Sequence, residues 1–491
     1  MVFTDGSIYI QGIRSEDHTQ VFSALKSIKN SIIGNIPRKK YYCLNLDILP
    51  FMIQLLKNAE NPLETRINSA EIIASLLHCI KFTILSTIRR ECYEYAKKLS
   101  SPDVYDTLVQ ILAKEPSIKL KEVVVRAIKA VVTHDSSYFK VEENLDKLYA
   151  CLSTDFENFI SMESMSCLEQ RIIRNSLIII EKLCNSYERQ VFLVNRMVIY
   201  HIINVVDVTY EKVVISALNT LSAILSENPK LIETLNSGPY GKCVIGKIDR
   251  FLDIAKSDNK DLQIAACKLL ARVSRVWDSD LDIHKIAISV IPVVSSLINN
   301  TNKDQLAAVE TLGLLCHGNK EMQKVVGSAK LIRGLISAIG LAETNQESEF
   351  LDTEYFINLH QMLLFAVGEI VSNNEMNRNA ASDEGIIKYI EKGMKHMMEK
   401  LTYGRLEKYV TSEDEDVQEQ ADIGSPEIKV ACLLLFINLT SNDSGIDDGA
   451  FERMEKLKRL GVDKVVAKLQ SAASLDVKDK AMVVLQQLNS E

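Results

Sequence analysis

The stretch Asp304–Cys316, DQLAAVETLGLLC, constrains this chain more than any other, because so much of the rest repeats its frame. Ala308, Leu312 and Leu315 stand at i, i+4 and i+7, which puts three apolar side chains on one face of a helix. The frame returns at Ala70, Ala74, Leu77, at Ser176, Ile180, Leu183, at Ala217, Leu221, Ile224 and at Ala266, Leu270, Val273. It returns again at Cys432, Phe436, Leu439 and at Ala481, Leu485, Leu488, with looser copies ending at Val131 and Ile370. The closing apolar residue therefore steps along the chain at intervals of 41 to 69 residues. A helical unit of that length cannot bury its apolar face alone and does so against its neighbours. The chain reads as a solenoid.

A period in the forties, lengthened by insertions, is that of armadillo or HEAT repeats. The expected fold is all-α: a right-handed superhelical armadillo/HEAT-type solenoid of about nine repeats. Glycine and proline number only 19 and 9 in 491 residues, well below the usual share of about 12%. That suits helices joined by few tight turns. The expected organisation is a cap helix and corner at 1–40, N-terminal repeats at 41–235, and C-terminal repeats at 236–491. Insertions are expected at 343–359 and 402–426, the second containing the acidic run SEDEDVQEQAD. Residues 37–40 read as a polar corner and 153–166 as a polar link.

Several function classes lack their residues. The formal charge of −8 argues against general nucleic-acid binding, which rests on neutralising phosphates. The ten cysteines stand singly with no CxxC pair, so they read as buried, reduced thiols and not as metal ligands. The eight histidines form no HExxH or Cys/His cluster, and no GxSxG, GxGxxG or kinase signature occurs. No catalytic, cofactor-binding or metal site is expected, and so no cofactor. With no signal peptide recognised and no apolar run of bilayer-spanning length, an intracellular chain without membrane insertion is expected.

Binding remains, and the third helix of each repeat locates it, since those helices line the concave groove of an armadillo array. The position before each closing apolar residue runs Leu76, Ala130, Lys182, Ala223, Arg272, Leu314, Glu369, Asn438, Gln487. The next turn adds Arg275, His317, Asn373 and Asn442. The candidate groove residues are Lys182, Arg272, Arg275, His317, Glu369, Asn373, Asn438 and Asn442, with polar character concentrated in the C-terminal half. Both charge signs beside amides suit an extended peptide with a charged end.

Two segments also resemble a known family. SALKSIKNSIIGNIPRKKYYCLNLDILPFMIQLLK carries Lys29-Asn30, Ile33-Gly34-Asn35, a basic stretch Arg38–Lys40 and a proline-containing helix Leu49–Leu56. At the other end, KVACLLLFINLTSN precedes an LKxLG corner at Leu457–Gly461 and a last helix ending in LQQL. Both are similar to the armadillo repeat-containing protein 8 family; the middle matches only as generic armadillo repeats. The resemblance implies a scaffold subunit of the GID/CTLH E3 ubiquitin ligase, in cytoplasm and nucleus, acting in proteasomal degradation within a hetero-oligomeric complex. It implies a substrate-receptor subunit held in the C-terminal groove, and LisH-CTLH/RING core subunits docked on the N-terminal repeats, with Lys29, Asn30 and Asn35 as contacts. The alternatives are an armadillo adaptor of the nuclear-import or catenin type and a HEAT-type assembly factor. The Trp and Asn ladder of import adaptors is largely missing, since only Asn438 fits it.

Overall fold

The computed structural model describes residues 7–77, 99, 101–134, 142–160, 165–184, 186–196, 198–226, 231, 243–276, 283–298, 303–328, 331–346, 353–389, 426–441, 448–470 and 474–489. Among them there are helices and turns and no strand. The chain divides into two compact units, Met1–Lys247 and Ile248–Glu491.

In the first unit a row of third helices forms one layer: α5 (Leu63–Leu77), α7 (Ile118–His134), α9 (Cys167–Leu183) and α12 (Glu211–Ile224), each packed on the next. Behind them lie α4 (Leu49–Lys57), α6 (Pro102–Lys114), α8 (Glu142–Ile160) and α11 (Val198–Val205). Helices α1 (Ser7–Ile13), α2 (His18–Ile32) and α3 (Ile36–Lys40) precede them, and α10 (Tyr187–Asn195) lies between α9 and α11. The core runs between the layers, where Leu25, Ile28, Met52, Leu56 and Phe156 are almost wholly buried.

The second unit repeats the plan. Its third helices are α14 (Lys260–Val276), α16 (Lys303–Cys316), α19 (Thr353–Val371), α21 (Pro426–Thr440) and α24 (Leu475–Asn489), again packed in sequence. Behind them stand α13 (Ile248–Ile254), α15 (Ile283–Ile298), α18 (Leu331–Gln346) and α23 (Val462–Leu469). Short first helices α17 (Lys320–Ser328), α20 (Glu375–Asp383) and α22 (Asp448–Arg459) open three of the repeats. Gly313 permits the close approach of α16 and α19, because a Cβ there would sit 2.7 Å from a ring carbon of Phe365.

Local chemistry explains the helix ends. Ser166 and Glu169 form a capping box at the start of α9, each side chain bonding the other's backbone N–H. The last carbonyls of a helix have no partner within it. Here the following repeat supplies one from a buried side chain of its first helix. Arg189 Nη1 donates to the Leu183 carbonyl at 3.4 Å, Gln323 Nε2 to that of Cys316 at 3.0 Å, Asn377 Nδ2 to that of Ile370 at 2.9 Å, and Arg453 Nε to that of Leu439 at 2.6 Å. These four polar residues bolt one repeat to the next, and periodicity gives no hint of them.

Three local expectations change. Residues 37–40 are not a loose corner: Asn35 caps α3, whose last turn runs into a π-helical turn at Tyr41–Asn45. Lys39 is held there because its ammonium donates to the Ser75 carbonyl near the end of α5 at 2.8 Å. The first part of the link at 153–166 is helical to Ile160, because Phe156 is buried and Asp155, also buried, pairs with Lys121 at 2.8 Å. In the insertion expected at 343–359 the described residues are helical, belonging to the end of α18 and the start of α19, and 347–352 lie outside the described residues. The other, at 402–426, falls almost entirely outside the described residues.

Candidate functional site

Each third helix keeps one ridge of side chains clear of the two-layer core. On α7 that ridge is Arg126, Lys129 and Thr133; on α9 it is Arg171, Arg174, Ile178 and Lys182. On α14 it includes Ile264, Lys268 and Arg272, on α16 Glu310 with His317 just past the helix end, and on α19 Phe365 and Glu369 with Asn373 just past its end. The helical frame read from the sequence drifts by one residue in places. Leu76, Ala130 and Leu314, expected on the ridge, are buried at 0%, 7% and 5% exposure. Ser75 and Lys129, one residue earlier, take the accessible places on α5 and α7. The closing apolar residue of a helix is fixed by the core, whereas the ridge is fixed by where the neighbouring third helices stop covering it. Counting back from the former misplaces the latter.

Among the predicted groove residues, two come together. His317, the residue after α16, has its Nδ1 2.9 Å from Glu369 Oε2 on α19, and the imidazole stacks on Phe365 with ring centroids 6.3 Å apart. Asn438 on α21 is half-buried and donates through Nδ2 to the Gly368 carbonyl at 3.1 Å, beside Glu369 in the chain. Arg272 is half-buried on α14. Lys182 is exposed and, among the described residues, pairs with its neighbour Glu181 at 3.3 Å. Asn373 closes α19 in a left-handed conformation with φ 52°, a role that asparagine tolerates better than most residues. The Arg275 side chain and all of Asn442 lie outside the described residues.

The residues expected to contact core subunits have internal work. Lys29 on α2 is half-buried, with its ammonium 2.5 Å from Glu71 and 3.1 Å from the Asn68 carbonyl oxygen, both on α5. Asn35 accepts from the Arg38 N–H as the cap of α3. Asn30 is exposed.

The polar character expected mainly in the C-terminal half is at least as strong in the first unit. Arg126 lies 3.8 Å from Glu71 and 4.0 Å from Glu122, while Arg171 lies 3.4 Å from Glu122. Lys129 donates to the Asn175 side chain at 2.8 Å. Burial holds its pKa below the usual lysine range, with the Arg174 and Arg126 guanidiniums adding to the effect. Three-residue spacing from Arg126 and Arg171 held the signal for this cluster, but the frame used selected Ala130 in its place.

Buried titratable groups are otherwise quiet. Burial pushes the Cys267 thiol up to about 12, and those of Cys184 and Cys316 further, as suits small apolar core residues. His360 is lowered to about 4 by burial. Among the described residues no group of three or more His, Cys, Asp or Glu could hold a metal ion, and no helix is long and apolar enough to cross a membrane.

No family model matches the sequence. Armadillo repeat-containing protein 8 of Mus musculus is 20% identical over 320 residues, covering 65% of this chain and 44% of the relative. The Xenopus laevis protein of the same name is 22% identical over 323 residues, covering 65% of this chain and 41% of the relative. The chain spans less than half the length of the curated relatives it matches. Among solved structures, the crystal structure of an engineered protein from the Northeast Structural Genomics Consortium superposes with a TM-score of 0.56 at 16% identity, covering 99% of this chain and 100% of the other. The fold is an armadillo-type α-solenoid. A designed armadillo repeat protein in complex with the peptide (KR)4 gives a TM-score of 0.43 at 17% identity over 55% of this chain and 100% of its own.

Proposed function

We propose that this chain is a non-catalytic protein-binding scaffold of a GID/CTLH-type E3 ubiquitin ligase, working in cytoplasm and nucleus. Its second unit holds the substrate receptor by an extended tail, and its first docks on the LisH-CTLH/RING core subunits. The armadillo-type fold supports a protein-binding scaffold, and the two terminal resemblances with the low similarity to armadillo repeat-containing protein 8 support the ligase assignment.

The observation that carries the receptor site is the row His317, Glu369 and Asn438 across three adjacent third helices. Asn438 spends one N–H on the Gly368 carbonyl. Its second N–H and its carbonyl oxygen can pair with the backbone of an extended peptide, while Glu369 and His317 supply charge beside it.

Affinity purification of the tagged protein from its own cells, read by mass spectrometry, tests the assignment. RING and LisH-CTLH subunits with a receptor are the expected catch; importin-β or an adhesion complex would replace this reading with an import or catenin adaptor. Reversing charge at Arg272 and Glu369 together should weaken receptor recovery at least tenfold with the circular-dichroism spectrum unchanged. Undiminished recovery would remove the second unit's ridge as the receptor site.

A further inference from the structure

We infer that the ridge made by Arg126 and Lys129 of α7 with Arg171 and Arg174 of α9 is a docking surface for an acidic, extended peptide of a partner protein. Four cations on two adjacent helices repel one another, and the fold does little to offset this. Lys29 already occupies Glu71 at 2.5 Å, which leaves Arg126 at 3.8 Å from that carboxylate. Glu122, buried under the ridge, is shared between Arg126 at 4.0 Å and Arg171 at 3.4 Å. Glu181 is taken by Lys182. Among the described residues Lys129 makes no ion pair and donates to the Asn175 amide, and the Glu122 carboxylate acts on it less than the two guanidiniums do; Arg174 has neither an ion pair nor a hydrogen bond. On α12 the ridge continues as Ile215, Asn219 and Ala223, with a single carboxylate, the exposed Glu211, at the start of that face.

A surface that is merely solvated spaces its like charges or pairs them. Here Lys129 is half-buried within reach of two guanidiniums, an arrangement that an anionic ligand relieves. Arginine pairs in this position offer forked donors to carboxylates. Neighbouring packed helices stand about 8–10 Å apart and an extended chain advances about 3.3 Å per residue. Side chains of an extended chain share a face at every second residue, so acidic residues at that spacing would meet α7 and then α9. A nucleic acid fits less well: none of these ridge residues is an aromatic on which bases could stack, and the whole chain carries a charge of −8.

The test is fluorescence anisotropy of the full chain with a labelled synthetic dodecapeptide bearing glutamate at every second position in a serine background. A counterpart with glutamine in place of glutamate serves as the comparison. The acidic peptide should bind at least tenfold more tightly, and its affinity should fall as salt is raised. Lys129→Gln with Arg174→Gln should weaken it at least tenfold, whereas Lys268→Gln in the second unit should not, with thermal unfolding confirming that each variant is folded. Equal binding of the two peptides would overturn the inference, as would no measurable binding of the acidic one, or an undiminished affinity in the double variant. Displacement of the peptide by lower concentrations of a single-stranded oligonucleotide would overturn it in favour of nucleic acid. None of these results depends on the ligase assignment, which rests on co-purifying subunits.

Discussion

On the ridge of the second unit Lys268 closes on Glu310 at 2.7 Å and His317 on Glu369 at 2.9 Å, each pair linking one third helix to the next. On the ridge of the first unit the corresponding ion links are longer: Arg126 to Glu71, between α7 and α5, spans 3.8 Å, and Arg171 to Glu122, between α9 and α7, spans 3.4 Å. The two rows of helices pack alike, so packing does not demand the difference. In the second unit, polar residues between third helices serve mainly to satisfy one another. In the first, cations outnumber the carboxylates that could satisfy them, and the surplus faces outward. A shared fold thus carries two electrostatic surfaces, one closed on itself and one open to an anion.

The sharpest way to break this contrast is at Glu122, the buried carboxylate under the cationic ridge. Glu122→Gln leaves the half-exposed Arg126 and Arg171 without their shared anion and should cost about 1 kcal/mol of stability, measured by denaturant unfolding. If it costs nothing, the cluster is not held by that carboxylate and the comparison fails. In the second unit the larger lever is His360. Its pKa is about 4 in the fold against an unperturbed 6.5, so the unfolded chain takes up the proton first as pH falls. Its contribution is fully present above pH 6.5 and is lost downward through 4, about 2 kcal/mol having gone by pH 5. Thermal melts of His360→Gln should show a shallower acid limb over that window. The smallest effect belongs to the closed pair Lys268–Glu310, whose side chains are 28% and 32% exposed. A double-mutant cycle with Lys268→Met and Glu310→Gln should give a coupling of about 0.5 kcal/mol, falling with salt.

How far the sequence reached can be judged at single positions. The frame of Ala308, Leu312 and Leu315 falls inside α16, and its copies fall inside α5, α9, α12, α14, α21 and α24. Each is an apolar stripe, and an apolar stripe must go inside. The same frame missed Lys129, because one residue along a helix turns the side chain by about 100°. Whether that puts it on the ridge or under it depends on how the next third helix lies. Gln323, Asn377 and Arg453 look like ordinary surface residues on short polar helices; only the approach of the preceding helix end turns them into buried caps. His317 and Glu369 were chosen as separate groove residues 52 positions apart, and nothing in their spacing announces the contact between them.

By itself the sequence determined the class of fold, the number and approximate places of the third helices, and the burial of Cys43, Cys184, Cys267, Cys316 and Cys432, though not the exposure of Cys167 at the start of α9 or the half-burial of Cys151 and Cys243. All three follow from where apolar side chains recur along one chain, a one-dimensional property. The tertiary structure decided which face of each third helix stays open, which charges find partners, and which are left over. Those depend on contacts between residues some 40 to 70 positions apart. Each is set by the rotation and spacing of neighbouring helices, which no periodicity along the chain records.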